Sequence, residues 1–321
     1  MRRHRVLRGW PAALALLSLA ALTAITALIL APATSAQTEA KPAQIRSSKA
    51  AVRIGNRIVL RGQFADAPDA RVQIQRRPTG KKRWLNAART KAGPAGAYRV
   101  RLRPRGTARW RARVTPGELE SSDSALTDGG PRTLATNAAR VKVRSRTRAR
   151  ISRRHVRAGG KTRVKGRVRP GGRRKVTVRG GGRSVSARTR PNGKFSVRWP
   201  AGSGTGRYKL RVRAGVNRRA IASSSGAGKL TVYRPAHASY YGPGFYGGRT
   251  ACGQTLTTST QGVAHKTLPC GTKLRLRYGG RTVTARVIDR GPYAAGRELD
   301  LTYATKRRLG FGSTGTVLMA N

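Results

Sequence analysis

Acidic residues are what this chain has least of. Among 321 residues there are 69 Lys or Arg but only ten Asp or Glu, giving a formal net charge of +59. The ten are Glu39, Asp66, Asp69, Glu118, Glu120, Asp123, Asp128, Asp289, Glu298 and Asp300, so no carboxylate stands between Gly129 and Ile288. Over that stretch internal ion pairs are excluded as a source of stability. Histidine is also sparse: His4, His155, His237 and His265 are scattered. They form no ligand spacing for a metal, and neither a metal nor any other cofactor is expected. Aromatic residues make up 5% of the chain against 38% hydrophobic overall. That is lean, but it suffices for small β domains with cores of Val, Leu and Ile. Wholesale disorder is therefore disfavoured, while disordered connectors are expected, and the length suggests two or three domains.

Only one long apolar run exists, Pro11 to Leu30. It follows a basic segment, Met1 to Trp10, and precedes the small residues Ala33-Thr34-Ser35-Ala36. This order predicts an export signal over residues 1–36, with an uncleaved anchor as the alternative because about 20 apolar residues span a bilayer. The protein is expected to be secreted or associated with the cell wall or envelope. The two cysteines, Cys252 and Cys270, suit an exported protein with one disulfide. Closing that loop contributes about 3 kcal/mol in the chain-entropy description. The alternative, a nucleophilic thiol, would want a partner such as His265.

Beyond Gln37 the chain reads as β structure. Segments such as Tyr98-Arg99-Val100-Arg101-Leu102-Arg103 and Lys273-Leu274-Arg275-Leu276-Arg277 alternate apolar with basic residues, which sends one face to a core and the other to water. A repeat divides the middle. Strand signals at Ile58–Gly62, Arg71–Gln75, Ala95–Val100 and Trp110–Val114 are matched by Arg163–Gly166, Lys175–Val178, Asn192–Val197 and Tyr208–Val212. Each series has the size and turn spacing of a small sandwich and resembles the immunoglobulin-like modules of bacterial surface proteins. The expected organisation is two immunoglobulin-like β-sandwich modules, 37–120 and 141–233, joined by a Ser, Thr, Gly and Asp-rich linker over 121–140. Ser223–Gly228 and Arg234-Pro235-Ala236 are expected to bracket the last strand of the second module. The charge implies affinity for anionic wall polymers or a membrane surface. Specific nucleic-acid binding is not expected, since neither stacking platforms nor a recognition helix is visible.

The last residues, 238–321, differ in kind. Asp289 ends the alternating segment Thr282–Ile288 and is followed at once by the turn Arg290-Gly291-Pro292, a position at the rim of a β structure where side chains meet ligands. Asp300 lies just ahead of Thr302, which suits the N-cap of a short helix running to Leu309 and stopped by Gly310. Asp300 therefore has a structural reading, anchoring that helix, beside a functional one. His265 is open in the same way, as a loop histidine or a site residue.

In order, Tyr240-Tyr241-Gly242-Pro243-Gly244, Thr250-Ala251-Cys252-Gly253-Gln254, Ala264-His265-Lys266-Thr267-Leu268-Pro269, Ile288-Asp289-Arg290-Gly291-Pro292 and Leu299-Asp300-Leu301 resemble the rare lipoprotein A (RlpA-like) family. That resemblance implies a six-stranded double-psi β-barrel with a short helix, related to expansins. It also implies a groove holding Asp289, Asp300 and His265, and a lytic transglycosylase acting on peptidoglycan or another wall glycan. Such a reaction needs only one competent acid, for which Asp289 is the first choice. Tyr240, Tyr241, Tyr246, Gln254 and Arg290 are the expected substrate contacts, the tyrosines by stacking on sugar rings, whereas Phe245 is expected to pack in its turn. The chain departs from the family by placing Gln254 and Thr257 where acids commonly stand. Gln cannot deliver a proton but can bond a sugar hydroxyl. Two other readings follow: an expansin-like module that binds and loosens without cleaving, and a basic protein that coats polyanions.

Overall fold

The structure, a computed structural model, describes residues 43–114 and 133–321. The expected export signal and most of the expected linker lie outside them.

The first group of strands is β1 (Ile45–Ser47), β2 (Ala51–Arg53), β3 (Ile58–Gln63), β4 (Arg71–Pro78), β5 (Leu85–Lys91), β6 (Ala97–Leu102), β7 (Ala108–Val114), β8 (Leu134–Ala135) and β9 (Ala139–Arg144). They form two sheets, β1-β3-β6 and β2-β9-β7-β4-β5, with β8 beside β7. One core lies between them, with Leu60, Ile74, Trp110 and Val141 among its buried members. The next strands are β10 (Arg146–Ile151), β11 (His155–Arg157), β12 (Lys161–Arg169), β13 (Lys175–Gly180), β14 (Arg183–Arg188), β15 (Lys194–Pro200), β16 (Gly206–Ala214) and β17 (Ser223–Tyr241). They pair in the same order, as β10-β12-β15 and β14-β13-β16-β17, and β11 joins β17 in parallel just as β2 joins β9. The likeness reaches single residues. Gly62 faces Tyr98 and Gly166 faces Phe195 at corresponding register positions. A Cβ at either glycine would come within 2.4 or 2.5 Å of the aromatic side chain, so each ring lies across a glycine. The sequence repeat is thus a repeat of strand pairing.

Two boundaries differ from expectation. Residues 133–140 do not act as linker. Thr136 accepts a hydrogen bond from Ala112 N at 3.0 Å, Asn137 accepts one from Ile45 N at 3.1 Å, and β9 pairs with β7. Val141 and Val143 accordingly belong to the first core, and only buried Ser145 separates β9 from β10. Nor does the chain break after the second group. Strand β17 runs 19 residues, because Ser223–Gly228 stays paired with β16 through a bulge at Leu210/Arg211. Pro235 sits where β17 has β22 on one side and β21 has not yet begun on the other, an edge position that tolerates a residue without an N–H.

From there β17 enters a closed barrel with β18 (Gly262–Ala264), β19 (Lys273–Tyr278), β20 (Arg281–Asp289), β21 (Leu299–Thr302) and β22 (Thr314–Ala320). The order β17-β21-β18-β20-β19-β22 returns to β17, six strands in all, with β17/β21 and β18/β20 parallel. Val263, Leu276, Val287, Leu299, Leu301 and Val317 fill the interior. Among the described residues there is one helix, α1 (Tyr303–Leu309), and it is capped as its sequence predicts. Thr302 accepts from Thr305 N through its hydroxyl at 3.3 Å, and Gly310 takes the left-handed conformation at φ 63°. Among the described residues no helix is long and apolar enough to cross a membrane.

Candidate active site

The site grows out of one irregularity in an otherwise alternating strand. In β20, Val283, Ala285 and Val287 point into the barrel. Strict alternation would send Asp289 inward as well. The register with β18 slips instead: Val263 pairs with Val287, but Ala264 pairs with Asp289. The skipped residue, Ile288, forms a bulge that turns Asp289 to the outward face. On the other side of β18, Val263 pairs with Leu301 and Ala264 with Asp300. Asp300 in turn pairs with Ser239 of β17. Ser239, Asp300, Ala264 and Asp289 thus form one row across four strands. Two strand spacings separate the aspartate Cα positions, about 10 Å.

Each carboxylate in the row is oriented. Asp289 Oδ1 accepts hydrogen bonds from Ala251 N at 2.8 Å and Arg290 N at 2.9 Å, so chemistry falls to Oδ2. The Ala251 donor belongs to a turn closed by Thr250 N to Gln254 O at 2.8 Å, in which Gly253 takes φ 84°. The Cys252–Cys270 disulfide, with Cα atoms 5.8 Å apart, ties that turn to the 265–272 loop. Both cysteines are consumed by it, which leaves no catalytic thiol. Asp300 Oδ1 accepts a short hydrogen bond from the Ser239 hydroxyl, and Arg297 donates to the same hydroxyl oxygen at 3.3 Å. Tyr241 completes the group. Its hydroxyl is buried beside the row, and burial, followed by the charge and hydrogen bonding of Asp289 and then the charge of Asp300, pushes the phenol well above its ordinary range.

His265 is 8% exposed. Its Nδ1 accepts from Thr267 N at 3.1 Å and Leu268 N at 3.0 Å, which assigns the ring proton to Nε2. That nitrogen faces Glu298 Oε1 at 3.6 Å. Arg234 grips Glu298 with two hydrogen bonds, one of 2.7 Å from Nη1 to Oε2 and a shorter one from Nη2 to Oε1. The guanidinium holds the Glu298 carboxyl below the usual carboxylate range. A cavity of about 580 Å³ opens beside this group, with Lys266 and Arg297 also in its wall.

The expected contacts divide. Asp289, Asp300 and Tyr241 come together. His265 joins through its backbone, donating from N to Asp289 O at 3.1 Å, while its ring is engaged by Glu298. Tyr240 does not face the row. Alternation along β17 places it on the inward side with Ala236 and Ala238, packed on the core, with Lys306 Nζ 3.5 Å from its ring centroid. Tyr246 is exposed and lies over Gly242, where a Cβ would meet its hydroxyl at 2.5 Å. Phe245, expected to pack, is 64% exposed and meets Tyr241 edge-on at 6.3 Å, because the Gly242-Pro243-Gly244 turn carries it outward. Gln254 is exposed in the turn beside Asp289. Arg290 spends its guanidinium on the 265–270 loop, donating to Leu268 O at 3.0 Å and to Cys270 Sγ at 3.3 Å. Sequence reasoning missed Glu298, Ser239, Arg234 and Arg297. The usable signal was that Glu298 is one of three acids after Gly129.

Residues 235–320 match the family described as "Lytic transglycolase". A probable endolytic peptidoglycan transglycosylase RlpA of Synechocystis sp. is 42% identical over 80 residues, 24% of this chain and 25% of that one. Its counterpart in Aquifex aeolicus is 40% identical over 95 residues, 29% and 42% of the two chains. The endolytic peptidoglycan transglycosylase RlpA of Pseudomonas aeruginosa is 42% identical over 81 residues, 25% and 24%. The chain thus spans well under half the length of these curated relatives. Among solved structures, the C-terminal fragment of intimin in complex with the translocated intimin receptor domain covers 61% of this chain and 67% of its own at 14% identity. Its TM-score of 0.31 adds nothing to the strand pairings. Residues 235–320 are an RlpA-like double-psi β-barrel segment within a longer arginine-rich chain whose described residues are nearly all β.

Proposed function

We propose that the barrel cleaves peptidoglycan glycan strands as a lytic transglycosylase, with Asp289 as general acid and then general base. The observation that carries this reading is the bulge at Ile288, which brings Asp289 into the outward row with Asp300 while two backbone N–H groups hold its Oδ1. A proton on Oδ2 passes to the glycosidic oxygen as its bond to the anomeric carbon breaks. The sugar's own 6-hydroxyl closes on that carbon, and its proton returns to Asp289, so no water is consumed. Asp300, across the row, offers negative charge to the positive charge developing at the anomeric centre. His265 and Glu298, fixed by Arg234, shape one end of the groove, while Tyr241 supplies a stacking surface. Export through residues 1–36 would deliver the chain to the wall, where the basic sandwiches space and attach the barrel. Purified sacculi treated with the full-length chain are expected to release soluble glycan, and Asp289→Asn to bind them equally but release it at least about 100-fold more slowly.

A second reading is favoured by Gln254, which stands exposed in the turn beside Asp289, where the family resemblance commonly implies an acid. In that reading the groove binds and loosens glycan in the manner of an expansin. Equal sedimentation of both proteins with sacculi, and no release by either, would select it.

A further inference from the structure

Both sheets of the second sandwich are basic, and on one of them a cation row runs unbroken across three strands. In β10-β12-β15 every outward position but two, Ser196 and Pro200, carries Arg or Lys, and the register stacks them. Arg148, Arg167 and Lys194 form one cross-strand row, and Arg150 and Lys165 begin the next, which ends in Ser196. With Arg190 these cations line a trough of about 590 Å³. Nothing in this sandwich neutralises them, since no acid occurs between Gly129 and Ile288. Like charges directly opposite on neighbouring strands are destabilising. A sheet face built from such rows invites an external polyanion. The opposite sheet also has cross-strand cation pairs, Lys175 with Arg188, Arg179 with Arg211 and Lys209 with Lys229, but neutral residues interrupt its rows: Thr177 and Ser186 pair across β13 and β14 and share a 2.9 Å hydrogen bond, and Arg179 faces Ser184 on its other side.

We propose that the outer face of β10-β12-β15 docks a flexible polyol phosphodiester polymer. Cations recur about every 6.7 Å along β10 and β12 and about 4.8 Å between strands, a lattice that meets a chain bearing one negative charge per short repeat. Four of the six trough cations are arginines, whose planar fork matches phosphate oxygens. The aromatic side chains of β15, Phe195 and Trp199, are 6% and 2% exposed. The face therefore offers no stacking platform for bases, which distinguishes its partner from single-stranded nucleic acid.

The test titrates the full-length chain with poly(glycerol phosphate) at low and moderate salt. It compares Arg148→Gln/Arg167→Gln/Lys194→Gln with the charge-matched Arg188→Gln/Arg211→Gln/Arg213→Gln on the opposite sheet. The first triple is expected to lose about tenfold or more in affinity and to flatten the log-affinity against log-salt slope by about 2. The second is expected to stay within about twofold, with both thermal midpoints confirming folded protein. Equal losses in the two triples would overturn the proposal in favour of undirected charge. Binding of an oligothymidylate as tight as that of the polymer, and lost in the same triple, would overturn it in favour of a nucleic-acid face.

Discussion

Strands β12 and β20 are each nine residues long, alternate apolar with basic or polar side chains, and bury their apolar set in a core. In β12 the alternation runs through to Arg169, and the outward face is a row of cations. In β20 it breaks at Val287-Ile288, and the outward position past the break is an aspartate held by two backbone donors. The difference between the proposed docking surface and the proposed active site is one bulged residue together with the turn that clamps the carboxylate. The same contrast holds for charge. The second sandwich has no acid, while the barrel has three, and each is committed: Asp289 to backbone N–H groups, Asp300 to Ser239, Glu298 to Arg234.

The contrast breaks most visibly at the row itself. Asp289→Asn is expected to lower glycan release by about 10³-fold, and Asp300→Asn, whose carboxylate is already tied to Ser239, by about tenfold. Equal losses would mean that the two share the proton chemistry. Next in size is the staple. Replacing Cys252 and Cys270 by Ala is expected to reduce unfolding free energy by about 3 kcal/mol. Activity should fall too, because the turn that holds Ala251 N against Asp289 loses its tie to the 265–272 loop; chemical denaturation with parallel release assays checks both.

Glu298→Gln probes the ion pair and is expected to cost about 1 kcal/mol, as the pair is partly exposed. The folded-state pKa of Glu298 lies below its ordinary 4.5. Its contribution is therefore full above the unfolded value and is lost as pH falls through the folded one. The gap in thermal midpoint between wild type and variant should be constant above about pH 5.5 and narrow in more acidic buffer. The smallest effect belongs to Tyr241→Phe. Removing a buried hydroxyl that sits beside Asp289 should change stability by no more than about 1 kcal/mol, and a larger loss on thermal melting would show that its contact with the carboxylate is stronger than an ordinary hydrogen bond.

Alternation made the strands legible, and the spacing of turn residues made the repeat legible, because both are local. Composition misled where tertiary pairing prevailed: Ser223–Gly228 and Pro235 read as breaks yet lie in one strand, since β16 and β22 pair with them. Residues 133–140 read as linker because the partners of Thr136 and Asn137 are 24 and 92 positions away. Asp289 and Asp300 stood out as rare acids. The bulge that unites them was present only as two adjacent apolar residues, Val287 and Ile288. Glu298 escaped notice because its partner Arg234 is 64 residues away.

The central claim is that the barrel breaks the glycosidic bond without water. Digesting sacculi in oxygen-labelled water and reading the released glycan ends by mass spectrometry tests it directly. Anhydro-muramoyl ends free of label are the predicted result. Labelled reducing ends, or intact glycan in the presence of folded and bound protein, would contradict it.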